Sequence, residues 1–222
     1  LGDNIGKPIL ELNINNKSIV IIEASSFQLE YSKFINPTFA ALINITKDHL
    51  DWHKTMKNYS NAKFNIFLQQ DKKSYAFIKD QKLISKFKNL NFLSKLNVVK
   101  KNSIKHLKSN IQNKHLLSKP NEENLEFAFA ISKKFGIKNK TFLKKINTFK
   151  GLPHRNEIFF KKKNITFIDD SKATSFVATK NALQTNKNIL WIVGGIPKLG
   201  DKININKINR NIIKSYIIGK KT

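Results

Sequence analysis

Phe39-Ala-Ala-Leu-Ile-Asn-Ile45, closed by Thr46-Lys-Asp-His49, is the stretch from which the fold is read. It is nearly continuous in apolar residues, as expected of a strand buried on both faces of a parallel sheet. Three other runs share its grammar. Ser18-Ile-Val-Ile-Ile-Glu-Ala24 leads into Ser25-Ser26, Ile165-Thr-Phe-Ile-Asp-Asp170 into Ser171-Lys172, and Asn188-Ile-Leu-Trp-Ile-Val193 into Gly194-Gly195. In parallel sheets, polar residues just past the strand C-termini line the ligand crevice, and all four runs put their chemistry there.

Helical patterns separate the runs. From Thr55 to about Gln70, Tyr59, Ala62, Phe64 and Phe67 recur near helical spacing. Asn121–Phe135 does the same with Leu125, Phe127, Ala128 and Ile131, and Gly136 stands where a C-cap belongs. Ser175–Gln184 and Ile205–Lys214 carry fainter helical patterns. Strand–helix alternation predicts an α/β fold, a mostly parallel sheet flanked by helices. Gly151 and Pro153 interrupt helix and a new β pattern follows, so a domain boundary is expected near 149, with domains 1–149 and 150–222. The stretch 72–119 reads as short strands, such as Ser74–Ile78, between lysine-rich turns.

The chain has 222 residues, 40% hydrophobic, enough to bury a core. There is no cysteine, which excludes a disulfide framework and any cysteine-ligated zinc or iron–sulfur site. No apolar run approaches the roughly 18–20 residues of a membrane span, so none is expected. No basic-then-apolar leader opens the chain, so export is not expected. Met56 is the only methionine, which predicts a piece of something longer.

The formal charge is +26, unevenly placed. Residues 1–60 hold six lysines and six acids, whereas 72–119 holds thirteen lysines against Asp80 alone. Such an excess could serve nucleic acid or a phosphorylated ligand. Arg155 and Arg210 are the only arginines, however, and a protein gripping phosphates or base edges would use the planar guanidinium more often. Lysines spread over solvent faces are the plainer reading, and a non-catalytic basic nucleic-acid-binding module is kept as an alternative.

Individual residues leave choices open. Glu23, at a strand end, is either a ligand for a hard divalent ion or a cap on the next helix. Thr46-Lys-Asp-His49-Leu-Asp-Trp-His53 packs two acids and two histidines, suited to magnesium or acid–base work, or else forms a capped polar loop. Lys63, on a helix with an inward apolar face, would ordinarily snorkel to solvent. His106 and His115 read as surface residues. Asp170 suits a ribose hydroxyl, Lys172 a phosphate, and Gly194-Gly195 with Lys198 close backbone approach plus one cation. No G-x-x-x-x-G-K-[ST] phosphate loop occurs, and Gly219-Lys-Lys-Thr222 does not fit that pattern.

In order along the chain stand Gly2-Asp-Asn4-Ile-Gly6, Glu23-Ala-Ser-Ser-Phe-Gln-Leu-Glu30, and Asn44-Ile-Thr-Lys-Asp-His49-Leu-Asp-Trp-His53 with Thr55-Met-x-x-Tyr59-x-x-Ala62-Lys63. Asn121-x-x-Asn124, Phe149-Lys-Gly-Leu-Pro-His-Arg155-Asn-Glu157, Asp169-Asp-Ser-Lys-Ala-Thr174 and Gly194-Gly-x-x-Lys198-x-x-Asp201 follow. Together they resemble the Mur ligases over residues 2–201. Ser-Ser-Phe-Gln-Leu-Glu and Gly-Leu-Pro-His-Arg point within that family to the members that add D-glutamate.

The resemblance implies most of a central ATPase domain followed by part of a Rossmann-like C-terminal domain. An N-terminal UDP-binding domain and the phosphate loop would lie upstream of Leu1, and this piece alone would be inactive. The implied reaction is ATP-dependent: the carboxylate of UDP-N-acetylmuramoyl-L-alanine becomes an acyl phosphate, which the D-glutamate amine converts to an amide for peptidoglycan. Another Mur or folylpolyglutamate-type ligase is the alternative. Two Mg²⁺ sites are implied, with Glu23 and His49 as ligands and Lys63, carbamylated, supporting the second metal. A Lys63 partly buried beside metal would have a lowered pKa, and its neutral amine could take up CO₂. Asn4 and Ser25 would face the muramoyl substrate, Asn121 and Asn124 the adenine side of ATP. Arg155 would hold phosphate, Asp170 the ribose, Lys172 the nucleotide, and Thr174 and Lys198 the D-glutamate; Lys63, His49 and Lys198 would be the catalytic residues. A cytoplasmic bacterial enzyme, monomeric at full length and without nucleic acid, is implied.

Overall fold

A computed structural model describes residue 11, residues 13–196 and residues 209–219. The expected roles of Asn4 and Lys198, and the start of the Ile205–Lys214 helical pattern, lie outside the described residues. The chain divides into two compact units. One comprises the described residues up to Gln112 with Asn121–Lys144, the other Asn113–Pro120 with the described residues from Lys145 on.

The first unit is built on a parallel sheet of β1 (Phe39–Leu42), β2 (Tyr75–Ile78) and β3 (Lys95–Val98), in that order. Phe39 pairs with Tyr75, and Tyr75 with Lys95. Side chains alternate across a strand, so each strand sends residues to both faces. Ala40, Leu42, Ala76 and Ile78 pack with Phe64 and Phe67, and with Ile84 and Phe87. Phe77 meets Val99 and Phe127 on the other face, with Phe39, Ala41 and Tyr75 partly buried beside them. Both faces are covered, as the apolar run at 39–45 requires.

The helices that cover the sheet follow from their caps and spacing. Before β1 comes the short α1 (Ser26–Tyr31). After it come α2 (Leu50–His53) and α3 (Met56–Phe64), the latter capped by the Thr55 hydroxyl and extended as a 3-10 turn over Asn65–Phe67. Tyr59, Ala62, Phe64 and Phe67, the residues that predicted this helix, are its buried ones. The 72–119 stretch contains more than strands and turns. It holds α4 (Gln81–Asn89), whose N-cap Asp80 accepts from the N–H groups of Lys82 and Leu83. Ile84 and Phe87, three apart, bury one face of α4, while Lys82 and Lys88 are exposed and Lys86 reaches Ser60 and Asn61 of α3, and these lysines disguise the period. Then come α5 (Lys119–Lys134) and α6 (Asn139–Thr148), separated by Gly136 in the left-handed region at φ 69°.

Two expected strands differ from their reading. Ser18–Ala24 forms no strand beyond a single bridge residue, Ile22, and Ile19 and Ile21 stand 69% and 64% exposed. An apolar run becomes a buried strand only where a neighbour pairs with it along its length, and here the pairing is confined to one bridge. In the second unit, β4 (Glu157–Lys162) and β5 (Ile165–Asp169) are antiparallel and mostly exposed, not parallel and doubly buried. Only Lys163 and Asn164 join them, with Lys163 at φ 50°; so short a link permits a hairpin and no crossover.

The rest of the second unit is α7 (Phe176–Thr185), capped by Ser175, and the parallel pair β6 (Ile189–Gly194) and β7 (Ile212–Ile218). The helix expected over Ile205–Lys214 is therefore replaced, from Ile212, by a strand of β-branched and aromatic residues. β6 alternates half-buried and exposed residues and is not buried on both faces. A Cβ on Gly194 would overlap the carbonyl oxygen of Ile218, so this pairing tolerates no side chain there. No described helix is long and apolar enough to cross a membrane.

Candidate active site

In the first unit, the site begins at the N-terminus of α1. Ser25 caps it: its Oγ accepts from Gln28 N at 3.2 Å, and Gln28 Oε1 accepts from Ser25 N at 2.8 Å. Capping is therefore the task of Ser25, and Glu23, two residues earlier, is exposed with its carboxylate outside the cap. The next residue, Ser26, is buried and its Oγ shares a 3.0 Å hydrogen bond with His53 Nε2. The His53 side chain is fully buried; its Nδ1 has no hydrogen-bond partner among the described residues and lies 3.8 Å from Glu30 Oε2, which accepts from Trp52 Nε1 at 2.8 Å. These contacts fasten α1 to α2.

His49 introduces α2 from a left-handed backbone, φ 54°. Its N–H donates to Asp48 Oδ1 at 2.9 Å, and its Nε2 is 3.5 Å from Asp48 Oδ2. The ring is set edge-on to Phe27 (4.9 Å) and to Tyr59 of α3 (6.1 Å). One turn on from Tyr59, half-buried Lys63 places Nζ 5.2 Å from the Tyr59 ring centre. Burial pushes the Lys63 ammonium below its ordinary pKa, while the charges of Asp48 and Glu23 pull it partly back. The Tyr59 hydroxyl is pushed up to about 12, by burial first and Asp48 second.

The fold thus gathers Glu23, His49 and Lys63 in one neighbourhood, together with Asp48 and with Tyr59, which the sequence offers only as a helix-face and motif residue. Asp48 was visible as the acid beside His49, but its influence on Lys63 depends on how α3 returns to β1. The sequence leaves His53, with His49, open between chemistry and a capped polar loop; its burial against Ser26 makes it a fastening.

Asn121 and Asn124 lie in the first half of α5, which covers the sheet face opposite α3. Two ion pairs and a hydrogen bond anchor this helix: Glu122 pairs with Lys108 at 2.6 Å, and buried Glu126 pairs with Lys79 and accepts from the N–H of Asn102, both at 2.5 Å. His106 is exposed, as expected, and meets Phe129 edge-on.

The second unit holds Arg155, Asp170, Lys172 and Thr174, on two adjoining loops. Asn156 N donates to Asp170 Oδ1 at 2.9 Å, and Lys172 N to the carbonyl of His154 at 3.1 Å. His154 Nδ1 donates to Asp169 Oδ2 at 2.7 Å, and His154 N to Glu157 Oε2 at 2.8 Å. Burial lifts Asp170 above the usual carboxylate value, against the Asn156 N–H and the Arg155 charge. Asp169 is held at about 2, chiefly by His154 and then by the Ser171 N–H. Among the described residues, His154, Glu157 and Asp169 are the histidine and carboxylate side chains that bring ligand atoms within 4.8 Å of one another.

Residues 3–143 match the family described as Mur ligase middle domain. The chain is 34% identical over 236 residues to the UDP-N-acetylmuramoylalanine–D-glutamate ligase of Rickettsia felis, covering 98% of this chain and 52% of that protein. Against the same-named ligase of Rickettsia prowazekii it is 34% identical, covering 98% and 53%. Against that of Zymomonas mobilis it is 32% identical, covering 99% and 50%. The chain spans about half the length of the curated relatives it matches.

Proposed function

This chain belongs to the Mur ligase middle domain family, and on that premise we propose that it is the ATP-handling part of a UDP-N-acetylmuramoyl-L-alanine:D-glutamate ligase of peptidoglycan synthesis. Residues 1–149 are read as the central domain and 150–222 as part of a Rossmann-like C-terminal domain. The γ-phosphoryl of ATP passes to the alanyl carboxylate and ADP leaves. The D-glutamate amine then attacks the acyl carbon, phosphate departs, and the amine loses its protons to give the amide.

The observation that carries this reading is the setting of Lys63. A lysine in the fields of two carboxylates should be held firmly charged, yet burial wins and lowers its pKa. A neutral Nζ can bond to the carbon of CO₂ and release a proton, becoming a carbamate. That converts a cation into an anionic oxygen donor beside Glu23 and His49, a set that fits a hard divalent ion. Glu23, His49 and the Lys63 carbamate would hold two Mg²⁺. Bound magnesium would supply charge neutralisation at the phosphoryl oxygens.

The chain's own side chains supply position and charge. Ser25 and Asn4 face the muramoyl substrate, Asn121 and Asn124 the adenine, and Asp170 the ribose. Arg155 and Lys172 offset phosphate charge. Thr174 and Lys198 receive D-glutamate. Holding the reacting groups in register is the main catalytic contribution, since phosphoryl transfer needs little covalent help from protein.

The test is phosphate release by the full-length protein with UDP-N-acetylmuramoyl-L-alanine and each of D-glutamate, meso-diaminopimelate and L-alanine. D-Glutamate alone should sustain turnover; turnover with another amino acid instead would overturn the assignment. Lys63→Ala should lose activity about a hundredfold or more. Short carboxylic acids should restore part of it, because they replace the carbamate oxygens. Full activity in the variant would remove the carbamate from the mechanism.

A further inference from the structure

We infer that His154 and Asp169 form a clasp that fixes the loop carrying Arg155 against the loop carrying Asp170 and Lys172, so that both cations meet one nucleotide polyphosphate. The inference rests on the nucleotide role proposed for those residues, and it assigns the pair a positioning task.

Two loops meet here, residues 152–156 before β4 and residues 170–172 after β5, the last residue of which is Asp169. The strand pair Glu157–Asp169 holds their base, but beyond it neither has regular structure, and two residues of the first sit in the left-handed region, His154 at φ 62° and Asn156 at φ 49°. Non-glycine residues are held there only where surrounding contacts outweigh the strain. The contacts are cross-links between the loops. One is between side chains, His154 Nδ1 to Asp169 Oδ2 at 2.7 Å. Another is between backbones, Lys172 N to the carbonyl of His154 at 3.1 Å. The third joins Asn156 N to Asp170 Oδ1 at 2.9 Å. Arg155 lies between the two residues of its loop that are tied down, and Asp170 and Lys172 flank Ser171, whose N–H donates to Asp169 Oδ1 at 2.9 Å.

The clasp also solves a charge problem. Asp169 and Asp170 are consecutive carboxylates beside residues assigned to an anion. An unpaired acid there would repel phosphate and compete for Arg155. Donation from His154 and Ser171 occupies Asp169, and the Asn156 N–H occupies one oxygen of Asp170. The arginine and the lysine are left to face outward; both side chains are exposed. A metal ion at His154, Glu157 and Asp169 would require the imidazole to give up this hydrogen bond.

The experiment uses the full-length protein and a fluorescent ADP analogue. Affinity is measured for wild type, His154→Ala, Asp169→Ala and the double variant, and for His154→Ala in an Arg155→Ala background. Each single variant should weaken binding about tenfold and the double variant no more than either, because coupled partners are not additive. With Arg155 gone, His154→Ala should cost only the smaller part that acts through Lys172. Hydrogen exchange, without nucleotide, should show the Asn156 and Lys172 amides exchanging about tenfold faster in each single variant. His154 is exposed, so its truncation leaves the fold standing if Asp169→Ala does not. Unchanged affinity, a hundredfold loss in the double variant, or a full His154 effect without Arg155 would overturn the clasp. So would unaltered amide exchange. A wild type that binds no nucleotide, with amides that still lose protection in the variants, would overturn the ligase reading and the purpose given to the clasp, while leaving its geometry intact.

Discussion

Truncating His53 would strip Ser26 Oγ of its partner and remove the ring that packs against Phe27 and Tyr59. His53→Ala should cost about 2–4 kcal/mol in urea unfolding, from a buried cavity plus an unpaired hydroxyl. Asp169 makes a prediction of different sign. Its carboxyl titrates at about 2 in the fold against an ordinary 3.8, so the folded state binds fewer protons between those values. The stabilisation is complete above pH 3.8 and is lost as pH falls toward 2. Asp169→Asn should therefore show a shallower acid-unfolding curve below about pH 4, and the two proteins should converge at the acid end. Circular dichroism across that range checks it. At this scale the sequence disclosed residue types but not surroundings. Glu23, His49 and Lys63 were visible as candidates, while the burial that lowers the Lys63 pKa and the isolation of His53 depend on helices folding back on each other.

α5 is secured on its inner side by Glu126, buried beneath the lysine of the loop after β2. Glu126→Ala would leave Lys79 with only the 3.4 Å contact to Glu123 and would orphan the Asn102 N–H. A loss of about 2–4 kcal/mol is expected by thermal or urea unfolding, because one member of a buried pair is removed while the other stays. Replacement of Glu122, half-buried like its partner Lys108, should cost under about 1 kcal/mol. Elements were legible where their cause is local. β1 and α3 follow from apolar period and a threonine cap. α4 was hidden by Lys82, Lys86 and Lys88, which stand around Leu83, Ile84 and Phe87 in the sequence. The direction of β5 was set by the two residues preceding it, a matter of loop length that its own apolar pattern does not contain. Ser18–Ala24 shows the converse, since strand-like composition forms no ladder without a partner along its length.

The molecule as a whole carries +26, nearly all of it beyond residue 60. Mutual repulsion of that size works against compactness and weakens as salt shortens the Debye length from roughly 30 Å at 0.01 M to 10 Å at 0.1 M. The melting temperature should rise with sodium chloride over that interval; a fall would mean that ion pairs such as Lys79–Glu126 outweigh the repulsion. The second unit also shows large apolar side chains to solvent, among them Phe159, Ile192 and Ile217, each more than 60% exposed. One close approach there bears on how such a chain drifts over generations. Because the strand ends at Gly194 and Ile218 touch backbone to backbone, a saturation library should keep a single survivor at position 194. Gly136, with open space around it and only an unusual torsion to satisfy, should accept asparagine as readily as it resists valine.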